Sequence, residues 1–391
     1  MQLYYADLHV HIGRAQGRAV KITASEKMTL ANILENGARE KGLQMVGVVD
    51  CGSPLVLGDI EEMINQDKLM PTRNGDLITK QGTMLLMGVE VETREGVHFI
   101  AYLPDLKAVK TWQKVMQNKV TNPNLSTQRS ALRAVDLIDL TAGLRGIFVV
   151  AHAFTPHRGA YGCWVARLSE GLGQRVNHVM AIELGLSSDT NMADTIKETR
   201  LYSFLSNSDA HSLVNLGREY NLIRMGNMSF AEFRMALTGE NGRRIMANYG
   251  MHPHLGKYHR SYCPRCKIIT QANKAAFTCD TCGHKMIPGV WDRIMAIRDY
   301  EEPHHPIGRP PYYYRVPMHF IPGLGPKTHV RMRQAFGSDI EIMERADLEL
   351  MKRVFNPAVV HYIEKMRNNE LEIIPGGGGY YGRVKKSDDD H

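Results

Sequence analysis

The sequence predicts an α/β protein: a β/α barrel, then a small four-cysteine zinc-binding module, then a C-terminal helical region. Three observations predict it. The first 250 residues alternate short apolar runs with longer amphipathic stretches, the pattern of strands joined by crossover helices. Metal-type side chains recur at the C-terminal ends of those runs, where β/α barrels carry their sites. Two Cys-x-x-Cys pairs stand close together beyond residue 260.

Apolar runs place strands at 3–9, 45–50, 83–92, 97–103, 146–152, 179–184 and 202–206. Helices are expected over 29–41, 126–142, 189–200 and 229–237, with Thr29 capping the first. Residues 1–250 form the barrel and 251–298 the zinc module. The stretch 248–260, rich in His, Pro, Gly and Tyr, reads as a linker. Residues 299–374 form a helical region, with periodicity over 327–336 and 347–367, and 375–391 read as a disordered tail.

Composition bounds the function. A chain of 391 residues with 43% apolar and 23% charged side chains is a globular protein of two or three domains. No apolar run is long enough to span a membrane, and the first residues lack the features of a secretory signal. A cytoplasmic location is expected. The net charge of +7 is uneven: residues 257–333 hold 13 Lys and Arg against 5 Asp and Glu, a net of +8, so the rest sums to −1. A localised basic segment suits a polyanion such as nucleic acid.

Asp7-x-His9-x-His11 puts three metal-type side chains at period two, so one strand end can turn all three toward one site. Asp50, Glu90, His152, Glu183, Asp209 and His211 stand at or just past the ends of later runs. Two metals about 4 Å apart can neutralise a phosphodiester and activate a water molecule.

Asp7-Leu8-His9-Val10-His11, Gly88-Val89-Glu90, His98, Ala151-His152 and Ser208-Asp209-Ala210-His211 resemble the motifs of the polymerase and histidinol phosphatase (PHP) family. The resemblance implies a distorted seven-stranded β/α barrel that hydrolyses phosphoesters with two or three divalent metals (zinc, manganese or magnesium). It implies that His9, His11, Glu90, His98, His152, Asp209 and His211 ligate metals, with Glu90 bridging, and that Asp7 orients a histidine from behind. Asp209 and Glu183 would act in catalysis. Where many relatives carry further histidines, this chain has Arg14-Ala15-Gln16-Gly17 and Asp50-Cys51-Gly52; Asp50 and Glu183 are candidate substitute ligands.

Cys263-x-x-Cys266 and Cys279-x-x-Cys282 have the spacing of a structural zinc site. Gly323-Leu324-Gly325-Pro326-Lys327 is a Gly-x-Gly turn opening a helix. It resembles a helix-hairpin-helix segment, by which Gly323, Gly325 and Lys327 would touch DNA backbone phosphates. The whole arrangement is similar to the endonuclease Q family. That similarity implies a DNA repair endonuclease cutting 5′ of deaminated bases (uracil, hypoxanthine, xanthine) or abasic sites in double- or single-stranded DNA, with replication or repair proteins as possible partners. A small-molecule phosphatase of the PHP family and a non-catalytic DNA-binding protein with structural metals are the competing readings.

Overall fold

The computed structural model describes residues 1–386. Among the described residues, ten strands form the main path of one curled twelve-stranded sheet: β1 (Gln2–Val10), β2 (Met45–Val48), β3 (Met84–Glu92), β4 (His98–Tyr102), β5 (Ile147–Val150), β6 (Val179–Glu183), β7 (Ser203–Leu205), β8 (Tyr220–Met225), β9 (Arg244–Met251) and β10 (Tyr312–Arg315). Their spatial order is β7-β6-β5-β4-β3-β2-β1-β8-β9-β10. The first seven are those expected from the apolar runs. They are not uniformly parallel. β1–β2–β3 and β5–β6–β7 run parallel, whereas β4 is antiparallel to both its neighbours. β3 and β4 form a hairpin, too closely spaced for a crossover helix.

No ladder joins β7 to β1. Side chains close the gap instead. Asn221 Nδ2 donates to Ala6 O and Ser206 O, Asn221 Oδ1 accepts from Ser206 N, and Asn248 Nδ2 donates to Phe204 O. The segment after β7 then runs beside β1: His11 N donates to Ala210 O, and Ala210 N to His9 O. Both asparagines are wholly buried. Burying an amide is costly unless it is hydrogen-bonded, and both amide nitrogens donate to protein oxygens. This corrects the linker expectation, since Asn248 lies within β9.

The base of the barrel is packed by helix Phe230–Thr238, with Ser229 as its cap. Phe233 lies in one apolar cluster with alternate strand residues Tyr4, Ala6, Leu8, Met84, Leu86, Ile100, Tyr102, Ile147 and Val149. That alternation is the period of a strand face. The expected helix over 126–142 is confined to Ala134–Gly143; 122–133 instead form a loop, with Ser126 N donating to Val20 O and Ser130 N to Glu92 O. Thr29 does cap its helix, accepting from Asn32 N.

The C-terminal region is not a separate lobe. β10 pairs in parallel with β9. Helices Pro326–Phe336, Asp339–Glu344, Leu348–Val354 and Pro357–Arg367 follow. The expected continuous helix over 347–367 breaks at Asn356-Pro357, where the proline ring cannot continue a preceding helix. A buried ion pair, Lys41 Nζ to Asp339 Oδ2 at 2.8 Å, ties these helices to the barrel. The expected disordered tail is ordered up to residue 386. Ile373–Ile374 pairs with Arg383–Val384, and Gly376 N donates to His254 O. Gly378 and Gly379 have φ of 61° and 93°, which lets the chain turn beside Tyr262. Residues 387–391 lie outside the described residues.

Candidate metal centre

The expected ligands converge at one end of the barrel. His9 and His11 come from β1 and the residue after it, Glu90 from β3, His152 from beyond β5, and Asp209 and His211 from beyond β7. His98 opens a strand rather than ending one. Because β4 reverses direction, with His98 opposite Glu92, its first residue reaches the same end.

His9 Nε2 lies 3.2 Å from His11 Nε2, 3.5 Å from Glu90 Oε1 and 3.6 Å from Asp209 Oδ1. His11 Nε2 lies 3.5 Å from Glu90 Oε2 and 3.3 Å from Asp209 Oδ1. Tetrahedral ligands about 2.1 Å from a metal stand about 3.4 Å apart. His9, His11 and Glu90 therefore offer donors to one divalent cation, with Asp209 Oδ1 beside both histidines. Glu90 Oε1 also lies 2.9 Å from His98 Nδ1 and 3.2 Å from His152 Nε2, and the two histidines are 3.2 Å apart. That makes a second donor group sharing Glu90. His11, Asp209 and His211 form a third overlapping group.

Behind these donors stand three further carboxylates. Both oxygens of Glu183 face His9: Nδ1 lies 3.0 and 3.2 Å from them, Asn207 Nδ2 donates to Oε1 and His152 N to Oε2. Asp50 likewise accepts from His11 Nδ1 at 3.0 Å and from Ile12 N. A carboxylate on Nδ1–H leaves the Nε2 lone pair for metal. Asp7, expected to orient a histidine, meets backbone N–H groups and no imidazole among the described residues. It accepts from Ser208 N at 3.0 Å and Gly217 N at 2.9 Å, and so holds the segment carrying Asp209.

Electrostatics follow from burial against charge. Burial alone would lower the His9 pKa, but Glu183, Asp209 and Glu90 raise it to about 10. Burial would raise the carboxyls of Glu90 and Asp209; His98 and Lys21 hold the first well below the usual range, and His9 and its neighbours hold the second. A cation bound at His9 would therefore compete with a proton there. His152 and Asp209 have φ of 28° and 46°, a conformation non-glycine residues rarely hold outside constrained sites.

Two other residues at the centre, Lys21 and Thr127, carried no signal in the sequence. Lys21 Nζ lies 3.4 Å from Glu90 Oε2 and 2.7 Å from Thr127 Oγ1, and Thr127 donates to Glu90 Oε2. Glu92 lies 3.8 Å from His98 Nε2 and pairs with the exposed Arg158 at 3.1 Å. All stand in or beside loops whose folding over the centre no periodicity announces.

The four cysteines come together. Cys263 and Cys282 sulfurs are 3.7 Å apart, Cys266 and Cys279 4.0 Å, near the roughly 3.8 Å edge of a thiolate tetrahedron on zinc. The glycine hairpin is formed in part: Gly325 precedes helix Pro326–Phe336 and Gly323 has φ of 76°. Only a single 3₁₀ turn, Met318–Phe320, stands where a first helix would be. Gly325 faces open space and Lys327 is exposed.

Barrel, converging histidines and shared carboxylate define a metal-dependent phosphoesterase of the PHP type. No family model matches the chain. It is 38% identical over 393 residues to YqxK of Bacillus subtilis, spanning 98% of this chain and all of that protein. Its structure matches the lesion-specific endonuclease of Pyrococcus furiosus with a TM-score of 0.85 and 31% identity, over 99% of this chain and 96% of that one. Endonuclease Q in complex with a 27-mer duplex bearing an abasic lesion at the active site matches with a TM-score of 0.86 and 31% identity, over 99% and 98% of the two chains. The chain belongs to the endonuclease Q family.

Proposed function

We propose that this protein is a DNA repair endonuclease that hydrolyses the phosphodiester on the 5′ side of a deaminated base or an abasic site. The observation that carries this reading is end-to-end similarity to a lesion-specific endonuclease and to its abasic-duplex complex, with the zinc module and C-terminal helices included. A small-molecule phosphatase would have no use for those regions.

The residues fit that chemistry. His9, His11 and Glu90 would hold one divalent ion, with Asp209 beside both histidines, and Glu90, His98 and His152 would hold another. When bound, such ions supply a Lewis acid for the phosphate and a water of lowered pKa. Asp209, with 35% of its side chain exposed, faces the opening, where a carboxylate can align the attacking water. Glu183 and Asp50 keep His9 and His11 in the metal-binding tautomer. Gly323, Gly325 and Lys327 offer a phosphate contact away from the reacting bond, and the four cysteines hold a structural zinc.

The test is a labelled duplex carrying one central uracil, hypoxanthine or abasic site, incubated with Mn²⁺, Mg²⁺ or Zn²⁺ and mapped at nucleotide resolution. A single cut 5′ of the lesion, lost in Asp209→Ala, is expected. Hydrolysis of a chromogenic monoester without nicking would favour the phosphatase. Nicking retained in Asp209→Ala would remove the site.

A further inference from the structure

Glu90 is shared by more than the histidines. Its Oε1 faces His9, His98 and His152. Its Oε2 faces His11, but also a lysine and a threonine that no motif includes. Lys21 is fixed at its root, since its own N–H donates to Ile12 O at 3.0 Å and Val20 N to Gly13 O at 2.9 Å. The chain after the Asp7-His9-His11 motif is therefore folded back so that this side chain enters the centre. Only 15% of the Lys21 side chain is exposed.

Hydrogen-bond capacity gives the ammonium a direction. It has three N–H groups. One meets Thr127 Oγ1 at 2.7 Å and one lies toward Glu90 Oε2 at 3.4 Å. Among the described residues the third meets no protein acceptor.

Thr127 is an independent sign. Its φ is 48°, a left-handed conformation that a β-branched residue adopts only under constraint. Its hydroxyl donates to Glu90 Oε2 and accepts from Lys21. The strain fixes the hydroxyl, and through it the lysine, at the carboxylate that joins the donor groups. Such strain concentrates at functional positions.

We propose that Lys21 is a catalytic residue: its ammonium contacts a non-bridging oxygen of the phosphodiester being cut, held there by Thr127. In the reaction the water oxygen bonds to phosphorus, the bond from phosphorus to one sugar oxygen breaks, and that oxygen takes up a proton. Lys21 neither gains nor loses one. It offsets the charge that builds on the non-bridging oxygen. This inference rests on the phosphodiesterase reading of the site and not on any lesion preference.

The experiment compares wild type, Lys21→Met, Lys21→Arg and Thr127→Val, each checked by thermal melting, on an abasic duplex and on bis(p-nitrophenyl) phosphate. Elemental analysis should find the wild-type metal content in all four. Lys21→Met should lower kcat by about 100-fold, as for loss of one charge-stabilising donor, with KM within about threefold. Lys21→Arg should recover at least about tenfold. Sulfur at one non-bridging position should slow the wild type strongly and Lys21→Met little more, because the contact is already lost. A missing metal equivalent in Lys21→Met would make the lysine a support for Glu90 and overturn the proposal. An unchanged kcat, or a thio effect equal in both proteins, would overturn it too. If the wild type hydrolyses the small diester but leaves the abasic duplex intact, the DNA reading fails while Lys21 is still tested.

Discussion

Glu183→Gln separates two roles that a strand-end carboxylate can play. In the structure Glu183 takes four contacts and faces no vacant position. Oε1 receives Asn207 Nδ2 at 2.6 Å, Oε2 receives His152 N at 3.0 Å, and both lie within 3.2 Å of His9 Nδ1. The amide replaces one oxygen with a donor. Whichever way it turns, that NH₂ meets another N–H, from Asn207 or from His152. One charge-assisted hydrogen bond is lost, at a cost of about 2 kcal/mol. Since each 1.4 kcal/mol is tenfold, the affinity of the His9 site for metal should fall by about thirtyfold. Competition with a chromogenic chelator measures that affinity, and nicking at saturating metal should recover most of its rate. Loss of a whole metal equivalent at saturation would mean that Glu183 is a ligand after all. A change below about threefold would mean that His9 needs no orienting carboxylate.

Three further outcomes follow from other parts of the molecule. Glu219 is wholly buried, burial raises its pKa to about 8, and its Oε2 has no partner, so it is neutral in the native state where the unfolded chain ionises near 4.5. The native state then binds the extra proton between those values, and stability should fall as pH rises through that window by up to about 1.4 kcal/mol per unit; urea melts of Glu219→Gln should lack this decline, and an unchanged slope would refute it. Cys279→Ala should lose one zinc and make residues 262–286 sensitive to protease while the barrel stays folded, because the module's apolar cluster is little more than Cys263, Cys279 and Met286. Lys327→Ala should reduce the salt dependence of DNA binding by about 0.9 in log–log slope, measured by anisotropy, with no change in cleavage position.

The barrel was legible because its first seven strands are nearly pure apolar runs. β8 and β9 were not, since Asn221 and Asn248 interrupt the alternation that marks a strand face. Those asparagines do the work of a missing ladder, hydrogen-bonding the end of β7 to its neighbours. A polar residue in a strand reads as a break when the partner it satisfies lies elsewhere in the chain. The tail shows the converse: its glycines lack side chains to signal packing, yet that lack lets Gly377 and Gly378 approach Ile269 and Tyr262 closely.

The cluster was legible by residue type and position, but what each carboxylate touches was not, and the reason is one of lone pairs. Asp209 and Glu183 are both acids near the ends of adjacent strands, and spacing treats them alike. A ligand must keep a lone pair unfilled by protein donors and aimed at other donors. Asp209 does so: Oδ1 meets His9 Nε2 and His11 Nε2, the atoms that would share a metal, at 3.6 and 3.3 Å. Glu183 meets the far nitrogen of His9 and two N–H groups, so its oxygens are used. Asp7 fails the same test, its carboxylate receiving Ser208 and Gly217, and Asp50 fails it with Ile12 and His11. The carboxylates thus divide by what already bonds to them, a property that exists only once strands distant in sequence have met.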